Sequence, residues 1–297
     1  MALDGTYATG SSINNTNHAT FIPKLWSDEI IAEYEKSLVM KPLVKSMKMA
    51  GKKGDTINIP MPVRGSANAK VEETQVTLVA DNSGNKQIVI DQHWEYSRLI
   101  EDITQVQALA SMRKFYTQDA GYALARQVDS DLIASALADF ATQGHATANG
   151  LVVPAVAGSA TDFSDAAFRD AIQILDDADV PMDNRKLVIP PAARNDIMGI
   201  DRYVSSDFVN GRGVQNGKIG ELYGIDIYVS TNLPDNGSDE KPCLLFHTDA
   251  LVIAEQMAVR TQTQYKQEYL ADLMTADTLY GEDCYRPDNG VVIWVAA

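Results

Sequence analysis

Four groups of residues in this 297-residue chain have types and spacings that can be tested against known chemistry. Gly211-Arg212-Gly213-Val214-Gln215-Asn216-Gly217 is the nearest approach to a phosphate cradle. It lacks the third glycine at dinucleotide spacing and the lysine of a P-loop, and no strand pattern leads into it, so it reads as a loop. Asp176, Asp177, Asp179 and Asp183 offer carboxylates of the kind calcium takes. They come without the loop glycine and terminal glutamate of an EF-hand and read as a solvated helix end. His18, His93, His145 and His247 are scattered, with no HxxxH pair and no cysteine at ligand spacing, so no zinc site is expected. Cys243 and Cys284 sit in no CxxC and are too few for a disulfide framework, which suits a reducing cytoplasm. A GxSxG nucleophile elbow is absent. The expectation is therefore no catalytic, cofactor or metal site. Asp129 and Asp131 are expected to decorate the solvent face of a helix.

Charge is more informative. Lysine and arginine total 25 against 40 aspartates and glutamates, a net charge of −15. A sequence-specific nucleic-acid reader carries a basic stripe and a high pI, so that class is not expected. Yet Lys36, Lys41, Lys45, Lys48, Lys52 and Lys53 fall within one segment holding no acid. That strip is +6 and leaves −21 on the rest of the chain. It reads as a solvated patch, as a surface for an acidic neighbour, or as a non-specific contact to DNA.

The elements that would position these residues follow from periodicity. Residues 1–20 are rich in Gly, Ser, Thr and Asn and read as an arm that orders on a partner. A helix is predicted from Ser27, with Ile30, Ile31, Tyr34 and Leu38 at helical spacing. Residues 56–63 and 71–80 alternate as strands, and residues 87–94 form a third. Together they make a long β-hairpin with little to bury on either face, so it projects. The strongest pattern is a helix over residues 103–140, from Ile103 through Leu109, Ala123 and Leu132 to Phe140, with Gly121 marking a bend or a close contact. Residues 143–161 are a Gly/Ala/Pro/Ser-rich boundary. Beyond it come helices at 165–178 and 192–198, strands at 186–189, 225–230, 244–247 and 251–255, and C-terminal strands separated by turns at Tyr280-Gly281 and Pro287-Asp288-Asn289-Gly290. No apolar run reaches the length that crosses a bilayer, and Met1-Ala2-Leu3-Asp4-Gly5 does not open a secretory signal.

Local phrases strengthen this order of parts. They are Gly54-Asp55-Thr56-Ile57-Asn58-Ile59-Pro60, Ile100-Glu101-Asp102, and Gly224-Ile225-Asp226-Ile227-Tyr228-Val229-Ser230-Thr231-Asn232-Leu233-Pro234. Phe246-His247-Thr248-Asp249-Ala250-Leu251 follows, then an ending from Tyr280-Gly281 through Arg286-Pro287 to Gly290-Val291-Val292-Ile293. Across residues 20–297 the chain resembles the tailed-bacteriophage major capsid proteins of the Hong Kong 97-like fold. The resemblance implies an α+β fold. It assigns residues 1–50 to the N-arm and first helix and 51–94 to the extended β-hairpin, or E-loop. Residues 95–148 and 257–297 form the peripheral (P) domain with its spine helix, and 149–256 an α/β axial (A) domain. It implies a structural shell protein of the virion capsid, self-assembling in the host cytoplasm as hexamers and pentamers around the dsDNA genome. Portal, scaffolding and decoration proteins are the implied partners, with no membrane. Members that carry a long charged N-terminal scaffolding segment differ from this chain, so scaffolding is expected as a separate protein. Lys70 lies near the hairpin tip, but no asparagine partner or carboxylate motif supports carrying over the isopeptide cross-link of some members. Expected inter-subunit contacts join the six strip lysines and Lys70 to Glu72, Glu73, Glu101 and Asp102. An encapsulin-like nanocompartment shell and a soluble α/β enzyme without a linear motif are the alternatives.

Overall fold

The computed structural model describes residues 38–48, 54–61, 65, 67–73, 75–76, 84–102, 112–142, 162–200, 220–236 and 239–296. Eleven strands and three helices are placed among them. The strands are β1 (Lys45–Lys48), β2 (Thr56–Met61), β3 (Gly84–Val89), β4 (Gln92–Glu101), β5 (Arg185–Ile189) and β6 (Glu221–Leu222). They continue with β7 (Ile225–Val229), β8 (Glu240–His247), β9 (Leu251–Lys266), β10 (Ala271–Cys284) and β11 (Gly290–Ala296). The helices are α1 (Met112–Thr142), α2 (Asp165–Asp177) and α3 (Pro191–Gly199).

The strands form a four-stranded sheet β1-β9-β10-β4, a five-stranded sheet β11-β8-β5-β7-β6, and a separate hairpin β2-β3. The five-stranded sheet is covered on both faces. Val188, Leu244, Phe246 and Val292 point to α1, where Leu132, Ala136 and Phe140 meet them. Leu187, Leu245, Val291, Ile293 and Val295 point the other way, to Phe168, Ala171 and Leu175 of α2 and Ala193 and Ile197 of α3. Burial on both faces explains why β5, β8 and β11 read as apolar runs rather than alternating strands.

Helix α1 spans 31 residues, about 46 Å of rise. Its buried residues Ala120, Leu124, Val128, Leu132, Ala136 and Phe140 recur every fourth position. The first part packs on the four-stranded sheet at Met274 and Ala276, the later part on the five-stranded sheet. One helix therefore joins two sheets, which accounts for its length. Helix α2 begins where the Ser164 hydroxyl accepts the Ala167 N–H at 3.2 Å, with Asp165 in the first turn. Helix α3 begins with Pro191 in its first turn, where a missing N–H costs nothing.

Asp102 is helical, and residues 103–111 lie outside the described residues, as do the arm, the helix predicted from Ser27, and the loop 211–217. Other expectations are corrected. The strand expected over 87–94 is two strands, because the chain changes sheets at Ile90 and Asp91. Tyr280-Gly281 is not a turn: β10 runs straight through it. Gly281 is needed for close approach instead, since a Cβ there would lie 2.1 Å from the Val89 carbonyl oxygen. A Cβ on Gly121 would meet nothing within 4 Å, so that glycine marks no close contact. Strand β11, grouped with the spine-helix lobe in the sequence, pairs with β8 in the five-stranded sheet. Strand β1 lies in the basic strip, within the segment assigned to the N-arm and first helix, and pairs in parallel with β9 from Lys45↔Val252 to Lys48↔Glu255.

Candidate assembly surfaces

The hairpin stands on a small foot. β2 and β3 pair from Thr56↔Val89 to Met61↔Gly84. Among the described residues the root is packed: Ile57, Ile59, Ile88 and Ile90 meet Val252 and Ala254 of β9 and Leu279 of β10. The Ile90 N–H donates to the Asp55 carbonyl at 2.8 Å, and Gln256 donates to the Gly54 carbonyl at 2.9 Å. Further out, Val71 and Val76 are each 65% exposed. Lys70, Glu72 and Glu73 are exposed in the same stretch, where Lys70 Nζ donates to the Val71 carbonyl at 3.0 Å.

The basic strip is less free than its sequence implies. Lys41 forms an ion pair with Glu255 of the same chain, and Lys45 pairs with Asp249 at 3.2 Å and lies 6.0 Å over the Tyr285 ring. Lys48 is exposed, while Lys36, Lys52 and Lys53 lie outside the described residues. Glu101 and Asp102 stand at the other end of the four-stranded sheet. Glu101 is opposite Ala271, and Asp102 accepts the Tyr265 hydroxyl at 2.8 Å. Lys48 is level with Glu255 and Glu101 is near Lys266. Eleven residues of β9 separate these levels, about 36 Å. Lys48 and Glu101 therefore cannot meet within one subunit.

The largest departure from the sequence reading is on α1. Asp129 is 1% exposed and faces no solvent. Its Oδ1 accepts the N–H groups of Val39 at 3.1 Å and Met40 at 2.7 Å, and its Oδ2 accepts the Asn232 amide at 3.2 Å. Burial raises its carboxyl above the usual range against the opposing pull of those donors. Asp131 accepts the Tyr280 hydroxyl at 2.5 Å and the Gln127 amide at 2.8 Å. Asp129 thus ties the incoming N-terminal segment, the long helix and the loop after β7 into one joint. Asp176 is not merely solvated either: it pairs at 2.7 Å with Arg185, which also donates to the Val180 and Pro181 carbonyls. Among the described residues no group of three or more His, Cys, Asp or Glu is arranged to hold a metal. Buried Cys284 is pushed up to about 12, with desolvation the main cause, so it is a core thiol rather than a nucleophile.

Comparison with known proteins agrees with this geometry. None of the curated proteins matches the chain. A solved structure from Mycobacterium phage Che8 superposes with a TM-score of 0.76 at 26% identity, covering 92% of this chain and 96% of that one. The capsid of cyanophage P-SCSP1u gives 0.76 at 18% identity, covering 98% and 99%. The mature capsid of bacteriophage PhiM1 gives 0.72 at 13% identity, covering 98% and 96%. The family model described as phage capsid protein matches residues 37–295. The chain belongs to the phage capsid protein family, as a major capsid protein of the Hong Kong 97-like fold.

Proposed function

We propose that this capsid protein closes an icosahedral phage head from hexamers and pentamers, with each hairpin lying over an adjacent subunit. The observation that carries this is the hairpin, whose described residues pack at the root on β9 and β10, while Lys70, Val71, Glu72, Glu73 and Val76 further out stand exposed. In these terms β2 and β3 are the E-loop. The four-stranded sheet with the first part of α1 is the peripheral domain, and the five-stranded sheet with α2 and α3 is the axial domain. Lys48, Lys70, Glu72, Glu73, Glu101 and Asp102 meet partners on neighbouring copies. Lys36, Lys52 and Lys53 extend the same basic surface in this reading, and Lys41 and Lys45 are held mainly within the subunit. The role is structural and uses no catalytic residue. Assembly takes place in the host cytoplasm with a separate scaffolding protein, and a portal and a decoration protein complete the head around its dsDNA. Sedimentation and electron microscopy test the core claim. Closed shells are expected on expression with scaffold, and a stable monomer of 32.4 kDa under every condition would overturn it.

A further inference from the structure

Alternate residues of β10 face α1, from Met274 through Ala276, Thr278, Tyr280 and Glu282 to Cys284. The other polar groups of this row have partners. Thr117 donates to the Met274 sulfur at 3.4 Å, and the Thr278 hydroxyl donates to the Met257 carbonyl at 3.1 Å. The Tyr280 hydroxyl donates to Asp131, and the Cys284 thiol to the Ala250 carbonyl at 3.6 Å. Glu282 stands between these last two, and its Oε2 is buried without a hydrogen-bond partner. Asp131 and Asp139 of α1 flank its level, the one at Tyr280 and the other beside Cys284. Across the sheet stands the uncharged Ile253, while Glu255, opposite Tyr280, is paired with Lys41. Asp91 lies just ahead of β4, and Asp283, on the other face of β10, is paired with Lys86. The charges that act most strongly on Glu282 are therefore carboxylates, Asp131 first.

We propose that Glu282 is a resident neutral acid that makes the packing of α1 on the four-stranded sheet proton-dependent. An ionised carboxylate with a buried, unpaired oxygen is costly, and a second carboxylate on the facing helix adds repulsion. The neutral carboxyl avoids both. Burial first, then the charge of Asp131, push the Glu282 carboxyl up to about 7. The sign follows from linkage. The folded subunit holds a proton that an unfolded glutamate gives up near about 4.3. The contribution of Glu282 to stability is therefore fully present at acid pH and is lost as pH rises through about 7. This dependence belongs to the single subunit and is read on it, so its failure would leave the proposed shell function standing.

The test compares urea unfolding of the parent and E282Q from about pH 5 to about pH 8.5. Glutamine keeps the shape of the side chain and stays neutral throughout, and every other titrating group is common to both proteins. The ratio of the parent's unfolding constant to that of E282Q is expected to rise about tenfold per pH unit and to level off above about pH 7. A ratio that stays constant across this range overturns the proposal. Infrared spectra of the folded parent give a second readout that needs no unfolding. A protonated carboxyl band is expected at about pH 6 and should vanish by about pH 8.5, and E282Q should lack it. D131N removes the facing charge and should lower the midpoint of that band by roughly one pH unit. If E282Q does not fold, D131N decides: a missing band in the parent, or a midpoint that D131N leaves unmoved, overturns the proposal equally.

Discussion

Asp129 shows how one buried polar residue can organise a subunit. A carboxylate out of water is costly unless its oxygens are satisfied, and here two backbone N–H groups and the Asn232 amide satisfy them. Removing it leaves those donors buried without an acceptor. D129A is expected to destabilise the subunit by roughly 2–4 kcal/mol, measured as a shift in the urea midpoint at constant slope. D129N should lose less. Its oxygen still accepts from Met40, but its amide group faces the amide of Asn232. Because burial raises the Asp129 carboxyl above its unfolded value, its own contribution to stability is greatest at acid pH and declines as pH rises through the native value. Charged residues are rarely buried, which is why the sequence alone points Asp129 to solvent. A signal was present: Asp129 sits four residues before Ile133 and seven before Ala136, on the apolar stripe itself.

At the scale of elements, the hairpin carries the sharpest expectation. Among the described residues its apolar contacts lie at the root, and the described residues further out add little to the subunit's core. Deleting residues 64–76 should leave the thermal transition of the monomer within a few degrees of the parent and abolish or deform shells seen by electron microscopy. Normal particles from the deletion would show that the outer hairpin is dispensable. The elements legible in the sequence were those whose periodicity is local: α1, α2 and α3, the apolar strand β5, and the projecting β2 strand. What was not legible depends on contacts distant in sequence. β1 is a strand because β9, more than two hundred residues later, lies beside it. The break at Ile90 and Asp91 and the straight passage through Gly281 are two sides of one close approach. Neither segment announces it alone. The pairing of β11 with β8 was not legible for the same reason: its alternate residues serve α1 on one face and α2 and α3 on the other.

At the scale of the whole molecule, charge sets the problem. A chain at −15 repels its copies as a lattice closes, and the repulsion must be offset locally. The structure divides the basic strip into lysines already engaged within the subunit, Lys41 and Lys45, and exposed Lys48 at a level about 36 Å from Glu101. Two consequences separate these roles. K41E and K45E each convert an ion pair within the subunit into a repulsion, and each should lower subunit stability by up to about 1 kcal/mol as well as affecting assembly. K48E should leave the subunit's unfolding transition unchanged and still weaken assembly, with wild-type shells loosening as salt rises past the Debye regime. A lattice repeats each weak contact many times, so a per-contact effect too small to detect in a monomer becomes visible in the yield of closed shells. If the strip instead faces the genome, K48E will give empty shells of normal size and yield, and only DNA-filled particles will suffer. Counting empty and filled particles from K48E by electron microscopy at two salt concentrations therefore distinguishes a contact between subunits from a contact with DNA.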